Sequence, residues 1–161
     1  MPVDFRKILG TTKLFSDFLY DFGKVERFYV GDFRKDKNYL RVFKSIKERK
    51  YQREKLSSIL GQQSRRFGSA EEGFKNIELL KEPDSLVIFT GQQVGLFGGP
   101  LFTIYKAISI LKLAQELSFR FSRSFIPVFW LDSEDHDFEE VRSTSIIDKE
   151  NQLEEIRYSP A

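Results

Sequence analysis

Two short apolar segments, each followed by a loop of unusual composition, constrain the fold of this chain. Residues 85–106 contain the first segment and a glycine-rich loop, and residues 127–141 contain the second segment and an acidic loop. A helical pattern separates them, so the order is strand, loop, helix, strand, loop. Parallel strands joined by one crossover helix lie side by side, and open α/β sheets bind ligands outside the carboxyl ends of their strands. We therefore predict that both loops meet at one edge of a sheet and form an enzyme-type site.

Composition limits the class of protein. The chain has 161 residues, of which 40% are hydrophobic and 17 are phenylalanine, so it can form a core and is not generally disordered. A formal net charge of +2 does not indicate a nucleic-acid or membrane partner. There is no cysteine, no leader pattern and no apolar run of membrane-spanning length. We expect a soluble, cytoplasmic protein without disulfides.

Helical patterns dominate residues 1–83, which we predict to be a helical region packing on the core. A helix follows Thr11 or Thr12, either of which could cap it, and Gly23 is predicted to end it. Residues 84–161 are predicted to form the first part of a Rossmann-like α/β core with a parallel sheet. Two or three strands make a poor sheet alone, so the chain is expected to be the front part of a longer protein.

Two further helices are predicted before the first strand. Helical spacing runs from residue 40 to residue 46 and leaves open whether the same helix continues to residue 60. Ser69 and Glu72 match a capping box at the start of the other helix, which Pro83 is predicted to stop.

The core region is predicted to contain a buried strand, a helix and a second strand. Residues 86–89 are wholly apolar, which indicates a strand buried on both faces of a parallel sheet. Pro100 suits the first turn of the next helix. Its predicted sheet-facing stripe is Ile104, Ile108 and Leu111. Residues 125–131 are predicted to form the second strand, and residues 144–147 a possible third.

Glycines crowd the passage from the first strand to the helix. They are Gly91, Gly95, Gly98 and Gly99. A missing Cβ lets backbone N–H groups approach a ligand, and the positive end of the following helix favours an anion such as a phosphate or a carboxylate. The spacing matches neither GxxxxGK[ST] nor GxGxxG, so glycines that only form turns are an equally good interpretation.

Polar side chains accompany these glycines. Gln92 and Gln93 could orient a polar ligand or bond to their own loop. Thr103 and Lys106 fall in the first two turns of the helix, where Lys106 could reach a phosphate or lie in solvent.

The chain's one histidine, His136, lies in the acidic stretch directly after the second strand. Its neighbours are Asp132, Glu134, Asp135 and Asp137. Nearby carboxylates favour the imidazolium form, which suits a general acid or an electrostatic clamp on an anionic intermediate. The carboxylates could also hold Mg²⁺. The alternative is a solvated loop with a structural histidine, but the position at a strand's carboxyl end favours a functional role.

At these two stretches the sequence resembles the cysteine ligase (BshC) family of bacillithiol biosynthesis. The residues that carry the resemblance are TGQQVGLFGGPLFTIYK and PVFWLDSEDHDFEEV, and the likeness extends over essentially the whole chain. It implies a Rossmann-like core similar to that of class I cysteine-activating enzymes. It also implies that the full-length protein is a homodimer supported by a coiled coil, which this shorter chain would lack.

The resemblance also implies a reaction and its participants. The family's proposed step joins the carboxyl group of cysteine to the amine of glucosaminyl-malate. Activation of cysteine by adenylation, with ATP as a substrate, is expected by analogy with the class I enzymes. Mg²⁺ is possible, and zinc is not expected because the chain has no thiolate ligand. We also expect no resident metal.

Carried over residue by residue, the resemblance assigns two groups of side chains. The ligand-binding group is Gly91, Gln92, Gln93, Gly95, Gly98, Gly99 and Pro100, joined by Thr103 and Lys106 of the helix. The opposite, catalytic wall is Glu134, Asp135, His136 and Asp137. The first helix of the core has no HIGH-type motif, so the residues that would cleave ATP are not identified.

Two other classes of protein compete with this interpretation. Basic residues between positions 34 and 55 could form a nucleic-acid-binding surface, which would bind with a steep dependence on salt. A nucleotide-binding or scaffolding protein that has the fold without the chemistry would show ligand-dependent thermal shifts and no turnover.

Overall fold

The computed structural model describes residues 3–134 and 137–159. The chain divides into two compact units between Tyr51 and Gln52. The helices of the first unit are α1 (Lys13–Tyr20) and α2 (Asp36–Lys47). The second unit contains α3 (Arg53–Arg66), α4 (Glu71–Leu79), β1 (Leu86–Gln93), α5 (Leu101–Phe121), β2 (Phe125–Asp132), α6 (Phe138–Val141), β3 (Ser143–Ile147) and β4 (Leu153–Arg157).

Helix α1 begins where the sequence predicts and ends earlier. The Oγ1 atom of Thr12 accepts a hydrogen bond from the Phe15 N–H at 3.2 Å, so Thr12 is the cap. Asp21 has left the helical conformation (φ −141°, ψ 57°). Gly23 lies beyond it in a 3-10 turn, Phe22–Lys24. The predicted end at Gly23 is therefore wrong, because the backbone turns at Asp21.

Aromatic side chains form much of the core of the first unit. Phe22 and Phe43 are buried. The ring of Phe18 packs against the rings of Phe22, Tyr29 and Phe33, with centroid distances between 4.8 and 5.8 Å. Each such pair adds about 0.5–1.5 kcal/mol beyond the burial of its area, which accounts for part of the use of phenylalanine in this region.

The structure settles the alternative left open for the second helical stretch. Helix α2 ends at Lys47 and α3 begins at Arg53, so these are separate helices. The guanidinium of Arg53 donates to the Leu80 carbonyl at 2.9 Å and to the Oγ and carbonyl of Ser85 at 2.9 and 3.2 Å. These bonds tie α3 to the turn before β1. Helices α3 and α4 thus group with the strands, and the domain boundary near Pro83 stays a prediction.

The predicted capping box of α4 is not formed. The N-cap is Ala70, which makes no side-chain cap bond. The N–H of Ser69 instead donates to the Ser64 carbonyl at 2.9 Å. Ser69 therefore belongs to the closing turn of α3, one residue too early to cap the next helix.

Strands β1 and β2 form the predicted parallel pair, with α5 as the connecting helix. Their register runs from Leu86 opposite Phe125 to Gln93 opposite Asp132. Strand β1 is longer than expected and is not buried on both faces, because Phe89 is 61% exposed. Helix α5 contacts both strands of this two-stranded sheet. The described residues leave part of the apolar surface of the sheet uncovered.

Helix α5 packs on the sheet through a stripe that the sequence did not single out. Its buried residues are Ile110, Ala114 and Leu117, which follow the i, i+4, i+7 spacing. The predicted stripe is wrong: Ile104, Ile108 and Leu111 are 51, 54 and 51% exposed. Both stripes have helical spacing, so spacing alone does not decide which of them faces the sheet. Pro100 is the N-cap residue, next to the predicted position.

The last strands form a separate antiparallel hairpin. Strand β3 covers the predicted third strand, but it pairs with β4 and not with the parallel sheet. Strand β4 was not predicted. The turn between them is closed by the Asp148 carboxylate, which accepts from the N–H groups of Glu150 and Gln152 at 2.9 and 2.7 Å. The part of the chain that the structure describes contains no candidate membrane-spanning helix.

Candidate functional site

The carboxyl ends of β1 and β2 form one edge of the parallel sheet. The last register pair is Gln93 opposite Asp132, and the glycine-rich loop and the acidic loop leave the strands at these two residues. The shared edge predicted from the sequence is therefore present. It brings two loops together that are about forty residues apart in the chain.

Three residues assigned to the glycine-rich loop are in fact the last residues of β1. Gly91 lies opposite Trp130, and a Cβ built on Gly91 would be 2.5 Å from the Trp130 carbonyl oxygen. No ordinary side chain fits there without a backbone shift. The local reason for glycine at position 91 is thus strand pairing. Gln92 and Gln93 follow it and lie nearer the edge of the sheet.

The rest of the glycine-rich segment folds back on itself. A Cβ on Gly95 would lie 2.7 Å from the Cα of Gly99, so the two backbones are in close contact. Between them is a 3-10 turn, Leu96–Gly98, in which the Gly98 N–H donates to the Gly95 carbonyl at 3.0 Å. Gly99 has a φ of 75°, which favours glycine. The result is a compact turn directly before the first turn of α5.

Two polar side chains of α5 point back toward this turn and the strand end. The Nζ of Lys106 donates to the Oε1 of Gln92 at 2.9 Å. The Oγ1 of Thr103 is buried and has no hydrogen-bond partner in the described part of the chain. It would lie 3.5 Å from a Cβ on Gly99. A buried hydroxyl without a partner is costly, so a ligand bond at this point would be favourable.

The acidic loop is described only at its two ends. Asp132 is partly buried at the end of β2, and Glu134 and Asp137 are exposed. Asp135 and His136 lie outside the described residues, so their predicted roles stay predictions. Within the described residues, no group of three or more His, Cys, Asp or Glu side chains is placed to hold a metal ion.

A third element also reaches the site, and the sequence did not indicate that it would. Strand β3 contacts the 3-10 turn of the glycine-rich segment. Just before β3, Arg142 forms an ion pair with Glu139 at 2.8 Å, and its carbonyl accepts from the Tyr158 N–H at 2.8 Å. The Nε of Arg142 is buried without a partner among the described residues. No spacing pattern marks this arginine, because its position depends on the hairpin.

In the hairpin next to the site, the carboxyl group of Glu155 has a lowered pKa. The hydroxyl of Ser143, followed by the Arg157 guanidinium, holds the pKa of Glu155 below its usual range. The Arg157 bond is 3.2 Å long. Glu155 therefore remains a carboxylate to lower pH than an isolated glutamate.

Comparison with known proteins gives a consistent result. The family model described as "Bacillithiol biosynthesis BshC, N-terminal Rossmann-like domain" matches residues 1–161. Three relatives, each named "Putative cysteine ligase BshC", come from Salinibacter ruber, Chloroherpeton thalassium and Geobacillus sp.. Their identities to this chain are 40, 35 and 37%, over 91, 99 and 86% of it. The chain spans 27, 30 and 26% of their lengths.

Proposed function

Because the chain belongs to the bacillithiol biosynthesis BshC family, as its N-terminal Rossmann-like domain, we propose that it is part of a cysteine-adding ligase. The reaction joins the carboxyl group of cysteine to the amine of glucosaminyl-malate. The observation that carries this proposal is the register of Gln93 with Asp132, because it supplies one crevice edge with a glycine-rich side and an acidic side. The names of the relatives support the class of reaction.

The glycine-rich side is suited to an anion. Lys106 is held at the strand end by Gln92, and the unpartnered hydroxyl of Thr103 faces the same turn. Backbone N–H groups at the start of α5 add partial positive charge. We assign to this side the phosphates of a nucleotide. Gly95, Gly98, Gly99 and Pro100 shape the turn that holds them.

The proposed chemistry has two steps. A carboxylate oxygen of cysteine attacks the α-phosphorus of ATP, and pyrophosphate leaves with the electrons of the broken P–O bond. The amine of glucosaminyl-malate then attacks the activated carbonyl carbon, AMP leaves, and the amine loses a proton. Binding both reactants at one edge supplies the proximity that these steps need.

The acidic side is assigned to proton transfer and charge. The amine is a nucleophile only when it is neutral, and Glu134, Asp135 or Asp137 could accept its proton. His136, as an imidazolium, would stabilise the negative charge of the adenylate and of its leaving group. Mg²⁺ brought with the nucleotide would find carboxylate oxygens here, which are its preferred ligands.

The test uses the full-length protein that contains this chain. Bacillithiol formation from cysteine and glucosaminyl-malate is measured with and without ATP, and AMP and pyrophosphate are quantified. His136→Ala is expected to lower kcat about 10²- to 10⁴-fold. Lys149→Ala, an exposed substitution in the β3–β4 turn, is the control and leaves the rate unchanged.

Three results would count against parts of the proposal. Product formation without ATP excludes adenylation, and an undiminished rate in His136→Ala removes that residue from the mechanism. Absence of product from the active, folded protein with all substrates excludes the ligase function itself. The proposed homodimer is tested separately by light scattering on the same preparation.

A further inference from the structure

The first unit contains a cavity that the proposed ligase site does not use. Its volume is about 290 Å³, and it lies at the start of α2 and the loop before it. The charged and amide side chains that line it are Glu26, Asp32, Lys35, Lys37, Asn38 and Arg41. Basic side chains thus outnumber acidic ones around a concave surface.

One wall of this cavity is fixed by bonds within the unit. The carboxylate of Asp32, whose side chain is 10% exposed, is bound by the Arg34 guanidinium at 2.8 and 3.1 Å. The Nδ2 of Asn38 donates to the Asp32 carbonyl at 3.0 Å. Gly31 allows this approach, because a Cβ there would lie 2.7 Å from the Oδ1 of Asn38. This wall is therefore held in place by contacts within the unit, whereas the cationic side chains of the lining are exposed.

The positive charge in the cavity is only partly neutralised, because three basic side chains face two carboxylates in the lining. Lys37 and Arg41 are spaced i, i+4 on α2, so like charges share one helix face, which is unfavourable. Neither side chain has a hydrogen bond or an ion pair with any residue that the structure describes. Lys35 lies 3.8 Å from Asp32, whose charge Arg34 already compensates. Glu26 is the remaining carboxylate in the lining.

We propose that this cavity binds a small, multivalent phosphate-bearing anion. Arg41 offers a planar fork of donors, Lys37 a mobile point charge, and both match phosphate oxygens. The volume suits one or two phosphate groups, and the cations surround a concavity instead of forming a long open row. This second site is independent of the ligase function, because none of its residues belongs to the sheet edge.

Pyrophosphate is the probe for the test. It is titrated into the 161-residue chain, and backbone amide chemical shifts report where it binds. We expect saturable shifts centred on residues 31–41. Lys37→Ala and Arg41→Ala each weaken binding about three- to tenfold, because each removes one charge-assisted contact at an exposed site. Lys44→Ala, a matched loss of charge on α2 outside the cavity lining, leaves the affinity unchanged.

Several outcomes would overturn the proposal. Shifts spread over the whole basic surface, or equal weakening by Lys44→Ala, indicate diffuse electrostatic attraction. Tighter binding of a single-stranded oligonucleotide, with a steep dependence on salt, assigns the surface to nucleic acid instead. Absence of shifts at residues 31–41 in a chain whose spectrum is folded excludes the site, including when residues 91–106 of the proposed ligase site do shift.

Discussion

The Nζ of Lys106 on α5 lies 2.9 Å from the Oε1 of Gln92 on β1. This bond joins the second turn of a helix to the end of a strand, fourteen positions away in sequence. It directs the ammonium group to the edge of the sheet where the glycine-rich turn also lies. A lysine free in solvent, the alternative open from the sequence, would not show this orientation.

Lys106→Ala is the first prediction. In the full-length protein we expect the KM for ATP to rise about tenfold, because one charge-assisted contact to a phosphate is lost. Lys112→Ala, an exposed lysine further along α5, is the matched control and leaves KM unchanged. An equal KM in Lys106→Ala and wild type would remove Lys106 from the nucleotide site.

Gly91→Ala tests the role of that glycine in strand pairing. The added methyl group would meet the Trp130 carbonyl, so the backbone must shift, at a cost of about 1–3 kcal/mol in the free energy of unfolding. Gly23→Ala is the control, because nothing lies within 4 Å of a Cβ there. Urea denaturation measures both, and an unchanged midpoint for Gly91→Ala would contradict the pairing observed.

Two leucines on different faces of α5 test which stripe faces the sheet. Leu117 is 4% exposed, so Leu117→Ala should lower the free energy of unfolding by about 2–5 kcal/mol. Leu111 is 51% exposed, and Leu111→Ala should change it by less than about 1 kcal/mol. The reverse order, measured by urea denaturation, would restore the stripe predicted from the sequence.

The ion pair of Asp32 should make the stability of the fold depend on pH in the acid range. The Arg34 guanidinium holds the pKa of Asp32 below its ordinary value of 3.8. The folded state therefore binds this proton less readily than the unfolded state, and the stabilisation is complete above pH 3.8 and is lost as the pH falls below it. Below this pH, the Tm of the wild type should decrease more steeply with falling pH than the Tm of Asp32→Asn. Parallel curves would contradict the prediction.

The order and pairing of β1 and β2 were accessible from sequence, because apolar segments and an intervening helical pattern allow few topologies. The orientation of α5 was not, since Ile108 and Ile110 each belong to a stripe with correct helical spacing. Only packing selects one of them, and the stripe that it buries contains Ile110, Ala114 and Leu117. The hairpin was also missed, because strand β4 is short and mostly exposed.

The site shows the same division between pattern and packing. The shared edge at Gln93 and Asp132 followed from strand order alone. The structural reason for Gly91 and the position of Arg142 depend on contacts with Trp130 and Tyr158, which are distant in sequence. The unpartnered hydroxyl of Thr103 depends on how the turn beside it folds. Such contacts leave no periodic signal in the chain.

Disulfide formation between engineered cysteines tests the shared edge most directly, because the chain has no cysteine of its own. Adjacent strands are about 4.8 Å apart, so Gln93→Cys with Asp132→Cys should cross-link readily under mild oxidation. Gln93→Cys with Ser124→Cys, at opposite ends of the strands and about 25 Å apart, should not. Efficient cross-linking of the second pair, or none of the first, would contradict the account of a common site between the two loops.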